Sequence, residues 1–162
     1  MKEQTITVRQ FTREDLDTVV QINRETLPEN YPNNFFLYCY KACPEGFLVA
    51  ETEQGKIIGY IMLRLETGMS NFGFRLIKKG HIVSIAVLPE YQRRGAGTCL
   101  LKSAMNILSS QGISEFHLEV RVSNTAALNM YEKLNYKKIK VIKRYYHDGE
   151  SAYRMAVKLP KA

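Results

Sequence analysis

The run His81-Ile82-Val83-Ser84-Ile85-Ala86-Val87-Leu88 constrains the fold of this chain more than any other segment. It is almost continuously apolar and rich in β-branched residues, the pattern of a strand buried on both faces. Pro89 ends it, because proline cannot donate to a ladder. A basic, glycine-bearing stretch follows, Gln92-Arg93-Arg94-Gly95-Ala96-Gly97-Thr98, and opens an apolar helical period over 96–110 that Gly112 stops. A buried strand that turns directly into a helix demands a layered α/β domain.

The rest of the chain supports that frame. Ile6, Val8 and the residues between them alternate, so 4–10 reads as a strand. Thr12, with Glu14 and Asp15 in the first turn, caps a helix to about residue 25 on which Leu16, Val19, Val20 and Asn23 form one stripe. Pro28 and Pro32 interrupt the chain before an aromatic helix over 33–43. Strands 47–51 and 56–65 flank the turn Glu53-Gln54-Gly55, and 66–79 reads as a polar loop. A strand over 115–122, a helix over 124–134 and strands 136–145 and 152–159 complete the order β-α-α-β-β-β-α-β-α-β-β, with Asp148-Gly149 closing the last hairpin. The expectation is a single domain over 1–162 with a mixed sheet.

Hydrophobic residues at 45% and charged residues at 24% exclude disorder. No apolar run reaches the roughly 20 residues a membrane span needs. Met1-Lys2-Glu3-Gln4-Thr5 lacks the apolar core of a signal peptide, so a cytoplasmic protein with no membrane partner is expected. Cys39, Cys43 and Cys99 stand at no metal-ligand spacing; all three read as packing residues in a reducing compartment, and no metal is expected. The net charge of +7 suits an anionic ligand. No nucleic-acid motif accompanies it, so nucleic acid is not an expected partner.

The chemistry concentrates after residue 88. A helix start exposes unpaired N–H groups and the positive end of a dipole, and so can hold phosphate. Gly95 and Gly97 remove Cβ atoms from an anion's path, while Arg93 and Arg94 add charged donors. The spacing matches neither the dinucleotide fingerprint nor the P-loop. Gln92-Arg93-Arg94-Gly95-Ala96-Gly97 resembles the Q/R-x-x-G-x-G/A pyrophosphate loop of the GNAT N-acetyltransferases. A second segment, Asn124, Ala127 and Tyr131-Glu132-Lys133-Leu134-Asn135-Tyr136, is similar to that family's N-x-x-A-x-x-x-Y-E-K-x-G-F signature, with Asn135 in place of the usual glycine. Closer still, Leu27-Pro28-Glu29-Asn30-Tyr31-Pro32, Gly80 to Val87, Leu118 to Asn124 and Tyr145 to Tyr153 resemble archaeal protein N-terminal acetyltransferases of the ribosomal-protein-alanine type.

That resemblance implies the GNAT fold: a mixed, mostly antiparallel sheet of about seven strands with about four helices, splayed between strands 81–88 and 115–121. It implies acetyl-CoA as cosubstrate. The backbone of Ile85, Ala86 and Val87 would pair with pantetheine. Residues Gln92, Arg93, Arg94, Gly95, Ala96, Gly97 and Thr98 would hold the pyrophosphate, with Asn124, Tyr131 and Lys133 on the cofactor's other side. Tyr131 would face the leaving thiolate as acid, and His81 with Glu119 would form a water-mediated general base. Glu29, His81, Tyr31, Tyr145 and Tyr146 would bind the acceptor, and Glu29 would help deprotonate its ammonium. His117 and His147 read as structural. The acceptor implied is a protein N-terminus, including nascent chains at the ribosome, handled by a monomer or weak dimer. The alternative keeps the fold and acetylates a small amine or a lysine side chain.

Overall fold

The computed structural model describes residues 4–160, so the part of the leader expectation resting on Met1, Lys2 and Glu3 lies outside the described residues. The strands are β1 (Ile6–Gln10), β2 (Phe47–Thr52), β3 (Ile57–Met69), β4 (Leu76–Val87), β5 (Glu115–Arg121), β6 (Lys137–Ile142) and β7 (Ala152–Lys158). The helices are α1 (Leu16–Thr26), α2 (Asn33–Ala42), α3 (Ala96–Ser109) and α4 (Thr125–Lys133). The strands form one seven-stranded sheet in the order β1-β2-β3-β4-β5-β7-β6. Pairs β1–β2, β2–β3, β5–β7 and β6–β7 are antiparallel, and β4 meets β5 in parallel at Gly80↔Phe116 and His81↔His117. Among the described residues no helix is long and apolar enough to cross a membrane.

The described residues divide into two compact units, the first holding 4–64 and 82–111. Its core is built from Phe11, Val19, Val20, Ile22, Phe36, Cys39, Phe47, Val49, Tyr60 and Met62, all buried. Phe11 and Phe47 stack at 4.0 Å. Each such side chain contributes about 1.5–3 kcal/mol on burial. The start of α1 is fixed by Asp15, whose Oδ2 accepts from the Thr12 N–H at 2.8 Å while Arg9 forks onto the same carboxylate at 2.8 and 3.0 Å. The both-face burial expected of 81–88 belongs instead to β2 and the first half of β3. Strand β4 alternates, with Ile82, Ser84 and Ala86 buried and Val83, Ile85 and Val87 half-exposed. An all-apolar strand reads identically in either setting, so periodicity could not tell them apart. At Gly59 the strands come so close that a Cβ would lie 2.8 Å from the Ala86 carbonyl oxygen.

The second unit holds 65–81 and 112–160. Here 66–79 is not a loop: β3 runs on to Met69 and β4 begins at Leu76. The turn between them is fastened to a buried carboxylate, since Ser70 Oγ donates to Glu115 Oε1 at 2.6 Å and the Asn71 N–H to Oε2 at 3.2 Å. Glu115 is distant in sequence, so the polar, glycine-bearing hairpin looked unstructured. Strand β5 pairs with β7 from Glu115↔Lys158 to Arg121↔Ala152. Strand β6 stops at Ile142, short of the expected 145, because the backbone turns left-handed at Arg144 (φ 53°) before the Tyr146–Gly149 turn. Cys39 and Cys43 pack as expected, but Cys99 is exposed, on the outward face of α3.

Candidate functional site

In the first unit, the segment after β4 is shaped by two left-handed residues, Arg93 (φ 64°) and Gly95 (φ 84°). A non-glycine residue in that region costs about 1–2 kcal/mol. The Gln92 side chain donates to the Val87 carbonyl at 2.8 Å and so ties the loop to the strand end. The first bond of α3 runs from the Cys99 N–H to the Gly95 carbonyl at 2.9 Å. The N–H groups of 96–98, ahead of that bond, have no acceptor within the helix. Gln92, Arg93, Arg94 and Gly95 are exposed, and no atom beyond its immediate chain neighbours lies within 4 Å of where a Gly95 Cβ would stand. Unpaired amides, a helix dipole and two guanidinium groups make this a phosphate-ready cradle. Glu29 and Tyr31, half-buried, sit between α1 and α2 in the same unit, fixed by hydrogen bonds to α1.

The second unit holds the acid–base cluster. His81 Nε2 lies 2.8 Å from Glu119 Oε2 and Nδ1 lies 2.9 Å from Glu66 Oε1, so the imidazole is gripped by a carboxylate at each nitrogen. Arg154 donates to the other Glu119 oxygen at 3.1 Å. Burial pushes the Glu119 carboxyl up, but the hydrogen bond and charge of His81, with Arg154 and His117, outweigh it and hold the carboxyl down at about 2. His117 stacks on His81 at 4.5 Å, its rings 10° from parallel, with Nε2 3.6 Å from Glu66. Burial first, then the facing His81, depress its pKa to about 4, so it is neutral at pH 7. Glu66, His81 and His117 offer ligand atoms within 4.8 Å of one another. Imidazole lone pairs lie in the ring plane, however, and two stacked rings cannot aim theirs at one point. The group is built as a hydrogen-bonded cluster.

Tyr131 is buried in α4, and that burial raises its phenol above the ordinary value and keeps it protonated. Asn124 is the N-cap of α4, its Oδ1 accepting from the Ala127 N–H at 3.2 Å, and Lys133 is exposed in the last turn, where a cation suits the helix dipole. Tyr145 and Tyr146 meet edge to face at 4.9 Å. The Arg121 guanidinium covers the Tyr146 ring at 4.1 Å and also holds Asp148 at 2.8 Å and Glu150 at 2.9 Å.

The acetyltransferase (GNAT) family model matches residues 16–136. The chain belongs to the GNAT family. An N-alpha-acetyltransferase of Sulfurisphaera tokodaii is 48% identical over 155 residues, 94% of this chain and 92% of its own. Ard1 from Thermoplasma volcanium, a crystal structure, matches with a TM-score of 0.85 at 25% identity, covering 96% of this chain and 98% of that one. Naa20 from Chaetomium thermophilum, solved with a bisubstrate analogue, matches with a TM-score of 0.84 at 33% identity over 96% and 87% of the two chains.

The structure brings together His81 and Glu119, the two residues expected to share the role of general base. Sequence pattern alone offers no sign of Glu66 or Arg154, which lie 15 and 35 residues from their partners and complete the cluster through space. His117 was legible only as a lone strand histidine. The register His81↔His117 is what stacks the two rings.

Proposed function

We propose that this chain transfers the acetyl group of acetyl-CoA to the α-amine of protein N-termini, as a cytoplasmic single-domain enzyme able to meet nascent chains at the ribosome. The observation that carries the acceptor is near full-length likeness to a protein named N-alpha-acetyltransferase. The cradle at 92–98 supports the donor: its amides and the guanidinium groups of Arg93 and Arg94 take the pyrophosphate, and the backbone of Ile85, Ala86 and Val87 pairs with pantetheine. Asn124 and Lys133 line the donor from α4. The family resemblance assigns Glu29, Tyr31, His81, Tyr145 and Tyr146 to the acceptor peptide.

In the reaction the amine nitrogen attacks the thioester carbonyl, the C–N bond forms and the C–S bond breaks. An α-amine has an ordinary pKa near 7.7–8.0, so about a tenth is already neutral at pH 7. Glu119, held at about 2, is too weak a base to keep the proton. Its charge and His81 instead steer the ammonium and a relaying water, and the proton ends in solvent. Tyr131 donates a hydrogen bond to the departing thiolate but not its proton. A thiolate with a conjugate acid near 8.5 cannot deprotonate a phenol raised above 10.

The test is a peptide array with free and blocked α-amines, read by intact mass with acetyl-CoA as donor. Acetylation confined to free α-amines is expected. Equal modification of blocked peptides at internal lysines would replace this reading with the side-chain alternative.

A further inference from the structure

Asn23 stands on the apolar stripe of α1, between Val19, Val20 and the core, and is 0% exposed. A primary amide there costs several kcal/mol unless its hydrogen bonds are made. They are made to the segment ahead of α2. Asn23 Nδ2 donates to the Glu29 carbonyl at 3.1 Å and to Tyr60 Oη at 3.0 Å. Its Oδ1 accepts from the Tyr31 N–H and from Asn30 Nδ2, both at 3.4 Å. A carbonyl only accepts and an N–H only donates, so the amide has one orientation that satisfies both ends. Its main-chain oxygen is used too, by the Leu27 N–H at 3.0 Å and Asn30 Nδ2 at 3.3 Å. Behind it, Tyr60 Oη shares a 2.7 Å hydrogen bond with Ser84 Oγ on β4, one residue before Ile85. The chain Tyr31–Asn23–Tyr60–Ser84 lies wholly inside the first unit.

We infer that Asn23 is a positioning residue for the acceptor peptide, with Tyr60 as its support: it fixes the backbone of 29–31 and so aims the Glu29 and Tyr31 side chains. The inference rests on the reading of Glu29 and Tyr31 as acceptor-binding residues. Pro28 and Pro32 stiffen the ends of this loop, but they cannot set its distance from α1; the amide does. Because Ser84 sits beside the strand assigned to pantetheine, the same chain holds acceptor loop and donor strand in one register. A merely structural asparagine would affect how much enzyme folds and not how the folded enzyme binds peptide.

The experiment is steady-state kinetics on the purified full chain with a short free-amine peptide and acetyl-CoA, for Asn23→Ala, Tyr60→Phe, the double variant and Tyr31→Ala. Asn23→Ala is expected to raise the peptide KM about tenfold, the equivalent of one to two net hydrogen bonds, with the acetyl-CoA KM within about twofold. Tyr60→Phe keeps the ring and is expected to raise peptide KM about threefold, with no further rise in the Asn23→Ala background, since both act through one contact. Amide exchange at Tyr31 should quicken in both. If Tyr31→Ala raises peptide KM and the Asn23 and Tyr60 variants do not, the inference is overturned and the acceptor reading stands. If none of them moves peptide KM, the loop is not the acceptor site and both fall. Should Asn23→Ala fail to fold, Tyr60→Phe decides alone, and an unchanged peptide KM in it overturns the inference.

Discussion

Replacing His117 with Gln should make the protein less sensitive to mild acid. The wild-type imidazole is 4% exposed and held at about 4, against an ordinary 6.5 in the unfolded chain. Burial is the main cause, and His81 and Lys79 add to it, while Glu119 and Glu66 oppose it. A depressed folded value means that the unfolded chain binds the proton first. The stabilisation is therefore complete above pH 6.5 and is lost as pH falls toward 4. Between pH 7.5 and 5.0 the two titration curves differ by about 2 kcal/mol, and partial solvent screening brings that to about 1–2 kcal/mol. For a chain of this size the loss is about 2–8 °C in Tm. Glu119 does not blur the window, because its own contribution is lost only as pH falls from 4.5 to about 2. The assay is thermal unfolding of wild type and His117→Gln at pH 7.5 and 5.0 at fixed ionic strength, and the quantity read is the difference of differences. Equal acid shifts in the two proteins would refute the reasoning, whatever the absolute stabilities.

Gly59→Ala should cost about 1–3 kcal/mol, since the new Cβ meets the Ala86 backbone oxygen at 2.8 Å, which cannot swing away, and Val87 Cγ2 at 3.1 Å; chemical denaturation measures it, and acetyl-CoA affinity should fall as β4 shifts. Gly95→Ala has open space but a left-handed backbone, so it should lose only about 1–2 kcal/mol in the same assay. Gly95→Glu places a carboxylate among the cradle amides and should abolish acetyl-CoA binding in calorimetry with the circular dichroism spectrum unchanged. Tyr131→Phe removes one hydrogen bond to a developing charge and should lower kcat about 10-fold or more with acetyl-CoA KM little changed, a split that single-turnover kinetics can confirm.

The framework was legible because local rules set it. The strand–turn–helix after residue 80, the helix end at Asn135 (φ 68°) and the Asp148-Gly149 turn all follow from neighbours in sequence. The hairpin over 66–79 was not, because its order comes from Glu115, some 45 residues away, and its own residues signal only flexibility. Of the cluster, His81 and Glu119 were found through the family resemblance. Glu66, Arg154 and the stacking of His117 depend on strand register, which no single segment encodes.

One signal was nevertheless present and is general. Asn23 and Ser84 occupy positions where the local period calls for an apolar side chain, Glu115 and His117 lie on the polar phase of β5, and all four are buried. A core stripe tolerates such a residue only when partners remove the desolvation penalty, and those partners must be brought from elsewhere in the chain. Each of the four marks such a junction: the loop of 29–31, the hydroxyl of Tyr60, the turn at Ser70 and the ring of His81. Three of the junctions adjoin residues assigned to acceptor or donor, and the fourth orders a hairpin. A polar residue that breaks an apolar period, as Asn23 and Ser84 do, thus points to the long-range contact that periodicity cannot supply.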